Sequence, residues 1–354
     1  MTAHPHPPSL PPLRAALIGA GQVARAMHIP AHLALSGSRL QTIVDRDMDA
    51  ARQLAERHGI PDATDRYERV LADPTIDWVD IATPNATHLP LALEALEAGK
   101  HVLVQKPMAP TAAEARRMLE AARRHKRHLD VFMCFRGDSA IRALGGLLAD
   151  GAFGRLISLR GKMVSASART APPSGWRQRE QSGGLLQLGI HMLDLLELLG
   201  GRARWIAAHT ARGFSASDGD DAAFVWLGLE GDATAVLETE YCAYVTPETP
   251  LYTLEINGTH GHARYRLETG ALEIRLADEA PVGAYTCPGG GAAAHLTFAH
   301  TLGGAAMSVM HQQFADRLHG APDYSGALAG IRALELLEAI QSAASSGSRI
   351  QLEA

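Results

Sequence analysis

Cysteine is scarce in this sequence, and no apolar run approaches the length of a membrane span. The 354 residues include three cysteines, Cys134, Cys242 and Cys287, which are odd in number and widely spaced. They therefore predict neither a disulfide framework nor a CxxC motif. A transmembrane helix needs about 20 consecutive apolar residues, and no such stretch is present. We expect a soluble, cytoplasmic protein.

An excess of charge of either sign is also missing. The formal net charge is −5 at pH 7 and the pI is about 6.4, so neither nucleic acid nor an anionic membrane is expected as a partner. Residues 1–12 contain five prolines and no signal-peptide core, which predicts a disordered tail. The 17 histidines show no recognisable metal spacing, and we predict no metal. His311, near the start of a C-terminal helix, is a candidate for entering a substrate pocket.

The N-terminal stretch Leu13 to Ala24, LRAALIGAGQVA, predicts a dinucleotide-binding turn. A short apolar strand ends at Gly19, whose freedom permits the tight turn. Gly21 lacks the Cβ that would keep the backbone away from a pyrophosphate. The phosphates are expected on the free N–H groups at the start of the following helix, with Gln22 and Val23 as cofactor residues.

An acidic residue follows at the expected distance. Asp45 ends the next predicted strand, at the position of a residue that binds the ribose hydroxyls of NAD. Its carboxylate would repel the 2′-phosphate of NADP. Arg46 beside it would partly offset that repulsion, so we predict NAD as the cofactor and leave NADP open. An ordinary βαβ turn followed by a surface aspartate is the alternative interpretation.

Strands alternate with helices over residues 13–134, which we assign to a Rossmann domain. Strands are predicted over 77–82, 101–105 and 129–134, with helices over 49–58, 89–98 and 111–126. This alternation predicts a parallel, doubly wound sheet. Ligands of such sheets bind beyond the carboxyl ends of the strands. Asp45, the loop Thr83 to His88 and Gln105-Lys106-Pro107 all occupy such ends, so we expect them to face one crevice.

The regular alternation of predicted strands and helices ends at about residue 135, and we assign residues 135–354 to an α+β domain. Helices are predicted over 139–148, 184–199, 305–319 and 324–345, and loops over 165–183 and 280–300. Strands are predicted over 156–163, 203–210, 222–229, 233–241, 251–257, 262–267 and 271–276. Short turns between them predict a large, open, mainly antiparallel sheet arranged as a meander.

Four motifs occur along the chain in this order: GAGQVA, DIATPNATH, VQKP and SGGLLQLGIHMLDLLELLG. Together they resemble the Gfo/Idh/MocA family of NAD(P)-dependent sugar and polyol oxidoreductases, from about Leu13 to the last helix. The resemblance implies a Rossmann domain followed by an α/β domain. In this family the second sheet commonly forms the subunit interface, so a homodimer or homotetramer is implied.

The resemblance also implies roles for individual residues. The family's Glu-Lys-Pro motif falls on Gln105-Lys106-Pro107, where Lys106 matches the catalytic lysine and the proline is often cis. Thr83, Asn85 and His88 belong to the loop that lies along the cofactor, and Gln105 joins them. In the second motif Gly189 and His191 match, whereas Gln187 stands where aspartate is common. Arg136 falls where relatives often keep an arginine.

The two glutamines leave proton transfer to other groups, because glutamine can orient a hydroxyl but cannot act as a base. Lys106, partly desolvated in the crevice and near the positive nicotinamide, would be pushed toward its neutral form. His191 titrates near neutrality and shares a helix face with Gln187 and Asp194. We predict Lys106 and His191 as catalytic residues and Gln187 as a substrate-orienting residue. Asp194 is expected to be structural, orienting His191 or a neighbouring turn.

Trp176 and Arg177, in a polar loop, are candidates for covering a sugar, and an ordinary surface loop is the alternative. Together with Lys106, Arg136, Gln187 and His191 they complete the predicted substrate site. The sequence thus indicates an NAD-dependent dehydrogenase acting on a secondary hydroxyl of a sugar, inositol or sugar derivative. Two alternatives stay open: an NAD-dependent glycosidase of the same fold, and a non-catalytic NAD-binding regulator.

Overall fold

The computed structural model describes residues 11–170, 183–215, 218–249, 251–277, 293–297 and 305–353. The candidate substrate residues Trp176 and Arg177, the third cysteine Cys287 and most of the predicted N-terminal tail lie outside the described residues. Within the described part of the chain, none of the helices combines the length and apolarity that crossing a bilayer requires.

The first sheet is parallel throughout and confirms the predicted Rossmann architecture. Its strands are β1 (Leu13–Ile18), β2 (Ser38–Val44), β3 (Asp62–Thr64), β4 (Trp78–Ile81), β5 (His101–Gln105) and β6 (Leu129–Phe132). Their spatial order is β3-β2-β1-β4-β5-β6, and each pairing is parallel. The order reverses between β1 and β4, which opens a crevice at the carboxyl ends of these strands.

The connections within this sheet carry five helices. They are α1 (Ile29–Leu33), α2 (Met48–His58), α3 (Tyr67–Ala72), α4 (His88–Glu97) and α5 (Ala112–His125). A π-helical turn, Ala24–His28, joins the glycine-rich turn to α1. Side chains fix two of the starts: Asp47 accepts from the Ala50 amide before α2, and Thr111 accepts from the Glu114 amide before α5.

The second sheet is large and mainly antiparallel, as predicted. Its strands are β7 (Leu156–Val164), β8 (Ala203–Ala211), β9 (Ala222–Leu229), β10 (Thr234–Glu240), β11 (Tyr252–Gly258), β12 (Gly261–Arg266), β13 (Ala271–Leu276), β14 (Ala293–Thr297) and β15 (Ile350–Gln351). The spatial order is β14-β13-β12-β11-β7-β10-β9-β8-β15. The predicted single meander is wrong, because β7 lies between two meanders and pairs parallel with β10.

Two segments predicted as loops contain regular structure. The segment 280–300 includes β14, which pairs antiparallel with β13. The segment 165–183 includes a short helix. The helices of this half are α6 (Ser139–Ala149), α7 (Ser167–Thr170), α8 (Ile190–Gly200), α9 (Ala305–Arg317) and α10 (Ser325–Ser346). The predicted helix over 184–199 is divided, since Leu185–Gly189 is π-helical and α8 begins only at Ile190.

One face of the second sheet packs against helices and the other is exposed. On β9 the side chains of Ala223, Val225 and Leu227 are fully buried, whereas Phe224 and Trp226 between them are 40% and 46% exposed. On β7 the core side is so close to α8 that a Cβ at Gly161 would lie 2.2 Å from Met192 Cγ. The exposed face therefore carries large aromatic side chains that the described residues leave partly uncovered.

Candidate active site

A cleft of about 1110 Å³ lies at the carboxyl ends of the parallel strands, beside the point where the strand order reverses. It brings together most of the residues that the sequence singled out: Gly19, Gly21, Gln22, Val23, Asp45, Arg46, Thr83, Asn85, Gln105, Lys106, Gln187 and His191. The second half of the chain adds Met163, Tyr241 and Tyr252, which sequence reasoning missed.

The glycine-rich turn at one end of the cleft is tightly fixed. Gly19 has φ +110°, and a Cβ there would stand 2.6 Å from the carbonyl oxygen of Ala82. Asp45 Oδ2 accepts from the Ala20 amide at 2.7 Å, and Oδ1 accepts from the Asp47 amide at 2.9 Å. The carboxylate that is expected to bind ribose therefore also holds the turn in place.

The residues present at this end fit a dinucleotide. Apart from its immediate neighbours in the chain, no described residue has a heavy atom within 4 Å of the position that a Cβ of Gly21 would occupy, so the backbone is open to a close-fitting group. Asn85 is buried, yet its Nδ2 has no hydrogen-bond partner among the described residues. Because buried donors normally find a partner, this amide is suited to a ligand in the cleft.

Lys106, directly after β5, contacts the second half of the chain through its side chain. Its Nζ donates to the main-chain oxygen of Gln187 at 2.7 Å, and its amide donates to Gln105 Oε1 at 2.7 Å. The Lys106–Pro107 peptide is cis, as the resemblance implies. The ammonium group is therefore placed beside the π-helical turn that leads into α8.

His191, near the start of α8, is held in its neutral form. Burial, and after it the positive charge of Lys106, hold the pKa of His191 well below its ordinary value. The ring packs edge-on against Phe135, with the ring centroids 4.9 Å apart. Nδ1 has no hydrogen-bond partner among the described residues. A neutral imidazole that lines the cleft is able to accept a proton.

Arg136 is not among the residues that line this cleft, and its expected role at the substrate stays a prediction. Its Nε and Nη2 donate to the two carboxylate oxygens of Asp194, each at 2.7 Å. Burial raises the pKa of Asp194, and the pairing with Arg136 opposes that shift. Asp194 thus binds Arg136, and the bonds described for it do not include the expected one to His191. The bidentate pair joins α8 to the segment after β6.

His88 and His311 are both fully buried and bonded within the protein. His88 is fully buried, and its ring nitrogens lie 2.9 Å from the carbonyl oxygens of Thr83 and Pro107. It joins the loop after β4 to the Pro107 segment and is not among the residues that line the cleft, so its expected contact with the cofactor stays a prediction. His311 is fully buried in α9, where Nε2 lies 2.8 Å from Asp80 Oδ2. It therefore does not enter the substrate pocket.

Comparisons with known proteins agree with this arrangement. The model of an oxidoreductase family with an NAD-binding Rossmann fold, Gfo/Idh/MocA, matches residues 13–133, and the model of a C-terminal domain of that family matches residues 141–264. D-apiose dehydrogenase of Paraburkholderia graminis is 33% identical over 261 residues, covering 72% of this chain and 69% of the relative.

Two further relatives cover nearly the whole chain. D-glucoside 3-dehydrogenase of Escherichia coli is 28% identical over 365 residues, covering 96% of this chain and 98% of the relative. The solved structure of levoglucosan dehydrogenase in complex with NADH superposes with a TM-score of 0.84 at 24% identity. It covers 96% of this chain and 99% of that structure, so the two chains share their fold from end to end.

Proposed function

Because the chain belongs to the Gfo/Idh/MocA family of oxidoreductases with an NAD-binding Rossmann fold, we propose that its substrate is a sugar, an inositol or a sugar derivative. It transfers a hydride between NAD(H) and a secondary hydroxyl or ketone of that substrate. The observation that carries this proposal is the pairing of Lys106 with a neutral His191 in one cleft. The relatives named above as D-apiose and D-glucoside dehydrogenases support a sugar as substrate.

The cofactor site is assigned to the Rossmann half of the cleft. The Gly19–Gly21 turn and the amides of Gln22 and Val23 take the pyrophosphate, Asp45 takes the ribose hydroxyls, and Asn85 donates through its unpaired Nδ2. Thr83 and Gln105 line the cleft beyond them. When bound, the nicotinamide ring supplies the acceptor or donor of the hydride.

Lys106 and His191 have different roles at the substrate oxygen: the first stabilises charge and the second accepts a proton. In this proposal Lys106 keeps its charge, in place of the neutral form expected from the sequence. Its Nζ, which already donates to the Gln187 carbonyl, provides a positive charge where negative charge develops on that oxygen. His191, neutral because of burial and the Lys106 charge, accepts the hydroxyl proton. Gln187 lines the same part of the cleft and orients the hydroxyl through its amide. No carboxylate is needed at positions 105 and 187 in this scheme.

The experiment that tests the function follows the absorbance of the nicotinamide after the protein is mixed with NAD and each member of a panel of sugars, inositols and sugar acids. Turnover on one class establishes the dehydrogenase and identifies its substrate. Release of an aglycone from a chromogenic glycoside without net NADH formation would indicate a glycosidase instead. Binding of NAD with no turnover on any class would indicate a regulator.

Discrimination between the two nicotinamide cofactors is expected to depend on Asp45. NAD(H) should bind at least about tenfold more tightly than NADP(H), because the carboxylate accepts ribose hydroxyls and repels a 2′-phosphate. Asp45→Ala should reduce this preference, as measured by titration of NADH and NADPH fluorescence. Asp65→Asn, which removes an exposed charge from the same cleft, is the control and should retain it. Equal affinities of the unaltered protein at moderate salt would overturn the prediction.

The pH dependence of turnover is expected to reflect the lowered pKa of His191. A histidine whose pKa lies well below 6.5 stays unprotonated as the pH falls through 6.5, so the base remains available there. We therefore expect kcat/KM to stay level between pH 7.5 and pH 5.5 and to fall only in more acid solution. Thermal unfolding at each pH checks that the fold is intact. A decline centred near pH 6.5 would contradict a neutral, buried His191.

The assembly and the compartment are also proposals. A homodimer or homotetramer formed through the exposed face of the second sheet would cover Phe224 and Trp226, whose exposure is otherwise unfavourable. Cys134 and Cys242 are free thiols, which is usual in a reducing compartment and supports the cytoplasm.

A further inference from the structure

A buried polar cluster lies behind the wall of the cleft. Asp80 on β4 is fully buried, and its Oδ2 lies 2.7 Å from His28 Nδ1, 2.9 Å from His32 Nε2 and 2.8 Å from His311 Nε2. The three histidines are at most 2% exposed. They come from the π-helical turn after the glycine-rich turn, from α1 and from α9. Buried polar groups in such number require a reason beyond packing.

One of these histidines connects the cluster to the cleft. His28 Nε2 lies 2.9 Å from Gln105 Nε2, and Gln105 Oε1 accepts from the Lys106 amide at 2.7 Å. A continuous series of hydrogen bonds thus runs from Asp80 through His28 and Gln105 to the backbone of Lys106. Gln105 itself lines the cleft.

The direction of every bond in this series is determined by chemistry. The Lys106 amide can only donate, so the oxygen of Gln105 must face it and the nitrogen of Gln105 must face His28. An amide nitrogen also only donates, so His28 Nε2 carries no proton and accepts. The proton of His28 is therefore on Nδ1, from which it is donated to Asp80.

We propose that Asp80, His28 and Gln105 form a positioning relay that holds Lys106 in its catalytic place, and that glutamine at position 105 is matched to the Nδ1–H tautomer of His28. The proposal rests on the proposed function of Lys106. A glutamate at position 105 would set an acceptor against the bare Nε2 of His28. The departure from the family's usual glutamate is then a matched part of the relay. Asp80, His28 and Gln105 are positioning residues, since they act through Lys106.

The spacing of the cluster favours protons over a metal ion. Donor atoms of His28, Asp80 and His311 lie within 4.8 Å of one another, which is a possible ligand set. Two ligands of one tetrahedral zinc, each about 2.05 Å from the metal, would lie roughly 3.3 Å apart. The observed separations from Asp80 Oδ2 to the three histidines, 2.7 to 2.9 Å, are hydrogen-bond lengths.

His32 provides a matched control within the same cluster. It bonds the same oxygen of Asp80 and is as deeply buried as His28. Its other ring nitrogen, Nδ1, has no hydrogen-bond partner among the described residues, so it offers no connection to Gln105. Replacing His28 or His32 removes one bond to Asp80 in each case, but only the first replacement disconnects Gln105.

The test compares His28→Met with His32→Met in the full-length protein. Both variants should lose thermal stability, whereas only His28→Met should lower kcat, by at least about tenfold, because a misplaced catalytic group is slow even when substrate binds. KM for the sugar should change less than kcat. His32→Met should retain kcat within twofold. Gln105→Glu, nearly unchanged in shape, should lower kcat as His28→Met does. Equal losses of kcat in the two histidine variants, or none in either, would overturn the relay.

A spectroscopic measurement tests the relay without activity. In the unaltered protein labelled with ¹⁵N and ¹³C, the ring of His28, assigned through correlations to its own backbone, should show a protonated Nδ1 and a bare Nε2. Protonation at Nε2, or a stoichiometric metal found by elemental analysis, would refute the proposal even if a variant fails to fold. Absence of turnover on every sugar, with the Nδ1–H tautomer present, would instead count against the proposed function.

Discussion

Replacing Lys106 with methionine is expected to reduce kcat by about 10²- to 10⁴-fold while NAD(H) still binds. The ammonium group is the positive charge nearest the substrate oxygen in the proposed scheme, and methionine keeps the length of the side chain without the charge. A loss of this size corresponds to about 2.7 to 5.4 kcal/mol of transition-state stabilisation. Steady-state kinetics with the best sugar of the panel measure kcat, and NADH fluorescence measures cofactor binding.

Lys162→Met is the control for that substitution. Lys162 lies on β7, where its Nζ donates to Glu238 at 2.6 Å, and it does not line the cleft. Its partly exposed ion pair with Glu238 contributes at most about 1 kcal/mol to the free energy of unfolding, so its loss should leave the fold intact. Because Lys162 is not among the residues that line the cleft, kcat should be unchanged. Undiminished turnover in Lys106→Met would show that His191 and the cofactor suffice. Loss of NADH binding in that variant would show that Lys106 acts on the cofactor.

The architecture of the first sheet follows from local sequence, because parallel strands are covered on both faces. Strands β4 and β5 appear as short apolar runs between turn residues, and both are largely buried. Seven strands of the second sheet, β7 to β13, were predictable, whereas β14, β15 and the order of the strands were not. Local patterns do not specify that β7 pairs with β10, some 75 residues later, in parallel.

The convergence of the glycine-rich turn, Asp45 and the loops after β4 and β5 on one cleft was predictable, because the carboxyl ends of parallel strands meet at one edge of the sheet. The substrate half was less so: Met163, Tyr241 and Tyr252 reach the cleft only through the packing of the second sheet. The sequence also contains an indication of the buried cluster around Asp80. Asp80 lies inside the apolar run DWVDIA, where an aspartate needs a buried partner. His28, in the segment after the glycine-rich turn, is such a partner.

The two glycines of the N-terminal turn are expected to respond differently to an added methyl group. Gly19→Ala should destabilise the fold by about 2 to 5 kcal/mol, since it adds the strain of a positive φ to a close approach on backbone. The approach is 2.6 Å from the new Cβ to the Ala82 carbonyl oxygen, and backbone atoms do not move aside easily. Thermal unfolding without cofactor should show a lowered Tm.

Gly21→Ala is expected to weaken cofactor binding without destabilising the fold. Its Cβ would meet no heavy atom of the described part of the chain within 4 Å, other than those of its sequence neighbours, so the Tm without cofactor should stay that of the unaltered protein. The methyl group would occupy the space that the pyrophosphate needs, and NADH should bind at least about tenfold more weakly. The stabilisation that NADH gives in a thermal scan should shrink accordingly, because ligand stabilisation follows affinity. If Gly21→Ala bound NADH normally, the pyrophosphate would have to lie elsewhere than against this turn.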